Sequence, residues 1–416
     1  MSRRIVLSVV VAAAAAGMLF ASSTPERASA GAAGPVTLNV WMGSWWADQA
    51  PKVAAEYAKV RPNVTVKIEP IPINNYYDKA VAATLGGSPP DVLDLDAFMI
   101  ASAAGKSLLQ PWDDYIKGLD VKDFAPAIWS AGVLGGKVYA IPNRGSAGIV
   151  YFNKTMFDRA GVAYPTEDWS YDTMLDMAKK ITIPGKEYGV GIAAALSDPA
   201  NVMTAYGPMV WAFGGDFLDK DNKSAVINQA GGLKGTTYWT ELYTKYKVAP
   251  EGTLNYTVTK DLVPMFMNNS VAMIYSASQN IAQFEAEPKL KWGLQVPPDR
   301  ATGGGGWSFT VPVGAQHAQE ARDFVLWFVE PDNLSRLQIR EPARISATTS
   351  PPWNSDAFKI VFKAAKYSHI LPPIPQWTEI QTMIITELQK ALQQTKTPQA
   401  AVNDMASQAN VILSRK

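Results

Sequence analysis

The mature part of this 416-residue chain is predicted to be an α/β protein built on mainly parallel sheets. Strand-like and helix-like patterns alternate along its first third, the chain is long enough for a large core, and no cysteine is present to brace a smaller fold. Residues 36–42 (VTLNVWM) alternate apolar and polar positions and form a first strand. Residues 47–60 put Val53, Ala54, Tyr57 and Val60 on one helical face and stop at Arg61-Pro62. Residues 64–68 (VTVKI) alternate again. Residues 77–85 are helical up to Gly86-Gly87, residues 91–95 form a short buried strand after Pro89-Pro90, and residues 97–106 return to helix. Strands follow at 138–141 and 148–153, with helices at 155–160, 171–182, 200–211 and 233–246. A strand at 270–275 is followed by a tract, Gly303 to Gly306, expected to precede a strand at 307–313. Helical patterns at 318–328, 380–392 and 398–413 close the chain.

The N-terminus has the layout of an export signal. Arg3 and Arg4 precede an apolar run at 5–20, and a polar patch leads to Ala28-Ser29-Ala30. Residues 1–30 are therefore expected to be a cleaved signal peptide; the run is short for a membrane span. The paired arginines fit either the general or the twin-arginine route. Without a cysteine after the cleavage site a lipid anchor has no attachment point, so a periplasmic, freely diffusing protein is expected. Removing the signal leaves 35 basic and 36 acidic residues, a balance with no pull toward nucleic acid or anionic lipid.

Several chemistries lack their residues. Two histidines, His317 and His369, and no cysteine give zinc or copper little to bind, and no cofactor is expected. No G-x-S-x-G, H-E-x-x-H or phosphate-loop motif occurs. The stretch Asp219-Lys220-Asp221-Asn222-Lys223 begins like a calcium loop. It lacks the glycine and the closing acid, and is expected to be a surface turn.

Five segments in order, LNVWMGSW (38–45), GGSPPDVLDLD (86–96), YAIPNRGSAGIVYFNKTMFDRAGV (139–162), NSVAMIYSASQ (269–279) and GGGGWSFTVP (303–312), with a weaker sixth, EPARISA (341–347), resemble the extracellular solute-binding proteins of carbohydrate importers, the family that includes maltodextrin-binding proteins. The resemblance implies a two-lobed periplasmic-binding-protein fold of type II, each lobe a mainly parallel sheet flanked by helices. It implies three crossings between lobes, near 144–147, 303–307 and 345–349. The lobes are then 31–145 with 306–347, and 146–305 with 348–416. It also implies a monomer that captures a carbohydrate without turnover, closes around it, and hands it to the permease subunits of an ABC importer.

A sugar site needs flat aromatic faces and polar groups that reward hydroxyl positions, and the chain has 13 Trp and 16 Tyr. Trp41, Trp45 and Trp46, with Ser44, surround the carboxyl end of the first strand, where open α/β sheets bind ligands. Asp96 ends the third strand and is either a hydroxyl acceptor or the N-cap of the next helix. Arg144, Trp307 and Arg344 fall at the implied crossings; for Arg344 an ion pair with Glu341 or another acid is the alternative. Trp211, Tyr275 and Trp377 are candidate stackers in the second lobe, whereas Trp239 and Trp327 sit in helical patterns that assign them to the core. Two other functions fit parts of this pattern: a secreted glycosidase using Asp94 and Asp96 as its carboxylate pair, or a same-fold receptor for a charged non-sugar solute such as a phosphoester.

Overall fold

A computed structural model describes residues 34–415. The expected signal peptide, residues 1–30, lies outside the described residues. The strands are β1 (Val36–Gly43), β2 (Val64–Ile71), β3 (Val92–Asp96), β4 (Val133–Leu134), β5 (Lys137–Val138), β6 (Ile141–Ala147), β7 (Ile149–Asn153), β8 (Met273–Ser276), β9 (Trp292–Gln295), β10 (Thr302–Thr310) and β11 (Ser368–Ile370). The first sheet runs β11-β10-β3-β1-β2, with β6 on the other side of β10. β1 is parallel to β2 and β3, as the β-α-β order requires, while β10 is antiparallel to β3 and β6 and parallel to β11.

The alternation along β1 explains the two layers around this sheet. Leu38, Val40 and Met42 point into a core with Phe309, Phe324 and Phe328. Trp41 points the other way, toward a second cluster that holds Leu93, Leu95 and Tyr76. Those two clusters draw their buried residues from 38–141 and 309–347. The other two draw theirs from 147–301 and 361–412, so the hydrophobic cores divide between two lobes.

The second lobe departs from the expected parallel sheet. β7 lies centrally and pairs antiparallel with both β8 and β9. Parallel neighbours enter only as single bridges, Tyr188 with Val271 and Gly191 with Ile274. β7 enters directly from the crossing strand and its partners arrive more than a hundred residues later, so the long connections between them leave either direction open. A second difference concerns the glycine tract. Gly303 to Gly306 do not precede the strand; they form its first half. Likewise Pro142 to Gly145 lie inside β6.

Helix packing in the second lobe depends on glycine. The Ala230–Thr244 helix crosses the Pro199–Ala212 helix at Gly235, where a Cβ would stand 2.7 Å from the Met209 carbonyl oxygen and the Val210 Cα. Gly235→Ala gains up to about 1 kcal/mol of helix propensity, but forcing two backbones apart costs roughly 1–3 kcal/mol. Urea unfolding of Gly235→Ala should therefore show net destabilisation; a stabilised variant would mean that the helices do not touch there.

Candidate functional site

Strand β10 joins the lobes and organises the site. β6 covers one edge of β10 from Gly304 to Phe309. The other edge is shared: β11 pairs with Thr302 to Gly304, and β3 with Trp307 to Thr310. Between the two, neither strand pairs with Gly305 or Gly306, which leaves a gap along this edge of β10. Residues 341 and 342 line the far edge of β6, where Gly145 N–H donates to the Glu341 carbonyl (2.8 Å) and Arg144 faces Pro342.

Three of the expected residues meet in register. Trp307 faces Asp96 across β3 and Arg144 across β6, so all three share one face of the sheet at its open end. The Arg144 guanidinium lies 4.9 Å from the Trp45 ring centroid and 5.0 Å from that of Trp307. The two indoles meet edge to face at 4.8 Å. Trp45 reaches this position by folding back over Gly43, which has no Cβ to obstruct it. Tyr76 completes the group from the opposite layer, 6.2 Å from Trp307. Its hydroxyl donates to the Trp41 carbonyl (2.6 Å) and accepts from the Asp94 N–H (3.1 Å). It stands where the short β1–β3 ladder ends, and holds the two strand ends apart.

Buried charge sets the electrostatics beneath this group. Asp94 is fully buried and accepts from the Asn143 side chain at 2.7 Å, while its second oxygen has no partner. Asn143 is the extra residue of a β-bulge, since Trp307 pairs with Arg144 and Ser308 with Pro142. Burial pushes the Asp94 carboxyl up to about 6, against the opposing pull of Arg144 and the Asn143 hydrogen bond. Burial also brings the Arg144 guanidinium down to about 10, and its Nε has no hydrogen-bond partner. Among the described residues, no group of three or more His, Cys, Asp or Glu is placed to hold a metal.

Apart from Asp96, the remaining sequence candidates fall outside this group. Asp96 is half-buried at the N-cap position of the Ala97–Gly105 helix, but its side chain makes no capping hydrogen bond. Ser44 is exposed at the start of the 3-10 turn after β1. Trp41 is half-buried on the other face, under the Lys79 ammonium at 4.4 Å. Trp46 is a correction: it is fully buried against Phe328, because the turn after β1 rotates it inward and its neighbour Trp45 outward. Tyr275 is also internal, its hydroxyl bonded to that of Tyr171 at 2.7 Å, and Trp377 is sealed against Phe217. Arg344 donates to Asp123 (2.7 Å) and to the Val329 carbonyl (3.2 Å), an ion pair with an acid other than Glu341. Trp211 lies at the cleft but is itself covered, its ring stacked at 4.8 Å and 8° on His369.

The residue that presents itself there is His369, exposed on β11 and paired with Gly303. Sequence reasoning missed it, as it missed Ser146, which faces Gly305 across β6. A lone histidine in the short segment 368–370 carries no periodic signal; the only hint was its place just before a proline-rich stretch at 372–375.

Residues 43–334 match the model of the bacterial extracellular solute-binding proteins. The chain belongs to that family. This solute-binding protein is 25% identical over 96% of its length, and 98% of the relative's, to a putative binding protein of Brucella abortus (strain 2308). It is 22% identical to the galactooligosaccharide-binding protein of Bacillus subtilis (strain 168), over 97% of this chain and 96% of that one. Its fold matches the crystal structure of an ABC transporter solute-binding protein of Thermotoga lettingae TMO bound with alpha-D-tagatose, with a TM-score of 0.79. That match has 24% identity and covers 91% of this chain and 100% of the other. The two-lobed fold of this solute-binding protein is thus that of solute receptors, and its family is one of binding proteins.

Asp94 makes a pH prediction. Its folded pKa lies above its unfolded value, so the native state binds the extra proton between about pH 4 and 6. Stability supplied by the protonated form is present below that window and lost as pH rises through it, by up to about 3 kcal/mol. In Asp94→Asn this loss disappears. Urea midpoints at pH 4 and pH 7 should shift in the variant's favour at the higher pH, whatever its absolute stability.

Proposed function

We propose that this protein is the periplasmic receptor of an ABC importer, holding a mono- or oligosaccharide or a sugar derivative in the cleft beside β10. The observation that carries the reading is the Trp45–Arg144–Trp307 group facing Asp96. Partly exposed indole faces stack on the C–H faces of a sugar, and a carboxylate and a guanidinium beside them bond its hydroxyls. The named relatives, one that binds galactooligosaccharide and one seen with alpha-D-tagatose, support the same ligand class.

The lobes are 31–145 with 306–347, and 146–305 with 348–416, and they close about the three crossing segments. Ligand contacts to both lobes favour closure, and the permease reads the closed form. The protein is exported by a cleaved signal at 1–30, carries no lipid anchor, and acts as a monomer. It performs no chemistry on the sugar. A glycosidase would need two carboxyl groups facing the scissile bond, and Asp94 is sealed under Asn143, which leaves Asp96 alone.

One observation favours a second reading. The Arg144 guanidinium lies beside Trp45 and Trp307 and forms no ion pair among the described residues, which suits a charged non-sugar solute such as a phosphoester.

Calorimetry of the mature protein against neutral sugars, sugar acids and glycerophosphodiesters separates the readings. Neutral sugars should bind; binding of glycerophosphodiesters alone would replace the first reading by the second. Trp307→Ala should weaken sugar binding by roughly 2 kcal/mol or more, about thirtyfold, as central aromatic contacts do. The fold should survive, whereas Trp46→Ala should cost about 3–5 kcal/mol of stability. Chromatography after long incubation should recover the sugar intact.

A further inference from the structure

The glycine run on β10 contains one position, Gly305, where a side chain would meet no other atom. A Cβ on Gly306 would lie 2.5 Å from the Arg144 carbonyl oxygen and 2.7 Å from Ile128, and one on Gly304 would overlap Ser368. In the facing strand, a Cβ on Gly145 would lie 2.7 Å from Ile128. At Gly303 it would make ordinary contact with Thr204 and Trp211, at 3.7 Å. At Gly305 it would meet nothing within 4 Å, and the backbone there is not left-handed. Neither close approach nor conformation calls for glycine at 305.

What lies over Gly305 is open space with defined walls. Alternation along β10 puts Gly303, Gly305 and Trp307 on one face, with Ser146 directly across from Gly305. Along the other edge neither β11 nor β3 pairs with Gly305, so no strand covers that side of it. At one end stand Trp307 and, opposite it, Asp96. At the other end His369 lies flat on Trp211 with its outer face exposed.

We propose that the space over Gly305 is a sugar-ring subsite between Trp307 of the first lobe and the outer face of His369 of the second, and that its occupant has at least two linked rings. The inference rests on the sugar-binding reading and adds to it the ligand's length and a size-determining residue. Gly303 and Trp307 are four residues apart, about 13 Å in a strand, longer than one pyranose ring and close to two linked ones. The imidazole, backed by the indole, supplies a second flat face for stacking. The Ser146 hydroxyl supplies a hydrogen-bonding group. A side chain at 305 would occupy the place of a ring, which is why the smallest residue stands there although packing does not demand it.

The test is calorimetry with galactose, galactobiose, maltose and maltotriose, beside thermal melts of each variant. At least one of the larger sugars should bind about tenfold or more tighter than galactose. Gly305→Val should weaken that sugar by about thirtyfold or more with an unchanged melting temperature, since nothing in the fold is displaced. Gly305→Ala should do so less severely, and serves if valine disturbs the strand. Gly306→Ala should instead lower the melting temperature. His369→Ala should weaken the larger sugar about fivefold or more and leave galactose unaffected. Unchanged sugar binding in Gly305→Val and Gly305→Ala, with binding still lost in Trp307→Ala, overturns the subsite alone. Galactose bound as tightly as every larger sugar overturns the ligand length. Failure of all four sugars to bind the unaltered protein removes the sugar reading and the subsite with it.

Discussion

The two lobes communicate through a small patch of sheet in which β6, β10 and the segment around 341–343 run side by side. The spacing within this patch constrains everything around it. Gly306 lies against the Arg144 carbonyl, and Gly304 against Ser368, at distances that leave no room for a side chain. Glycine is needed here chiefly because other atoms come too close, and only secondarily for flexibility. Because β10 spends one edge on β6 and divides the other between β3 and β11, a gap must open where the two partners end. That gap is thus a consequence of strand pairing.

The floor of that cleft carries unusual charge. Arg144 and Asp94 are both buried, and burial shifts each toward its neutral form. They are not closed into a tight ion pair; Asp94 bonds Asn143, and Arg144 is held by the faces of two indoles. A cation over an aromatic face contributes about 0.5–2 kcal/mol, which offsets only part of the desolvation cost.

Much of the fold was legible in the sequence. The alternation at 36–42 and 64–68, the helical spacing between them and the proline and glycine stops located the parallel β1–β2–β3 core to within a few residues. The helix at 398–413 was readable to the residue. The second lobe was less legible, because whether β7 pairs parallel or antiparallel depends on partners far along the chain, and periodicity within a strand does not report direction. The glycine tract was visible as a feature, but its incorporation into a strand was not: glycine has low strand propensity and reads locally as a turn.

By itself the sequence determined the class of fold, the order of its elements and the family, because these follow from local pattern and from segments in fixed order. Only the tertiary structure decided which aromatic and charged side chains reach the cleft. Trp45 and Trp46 are adjacent and chemically identical, yet one stacks on Arg144 and the other is sealed against Phe328. Arg344 found Asp123, and Trp211 yielded its face to a histidine 158 positions away in the numbering of the chain. Burial is set by everything that packs around a residue, most of it distant in sequence, so no local pattern encodes it.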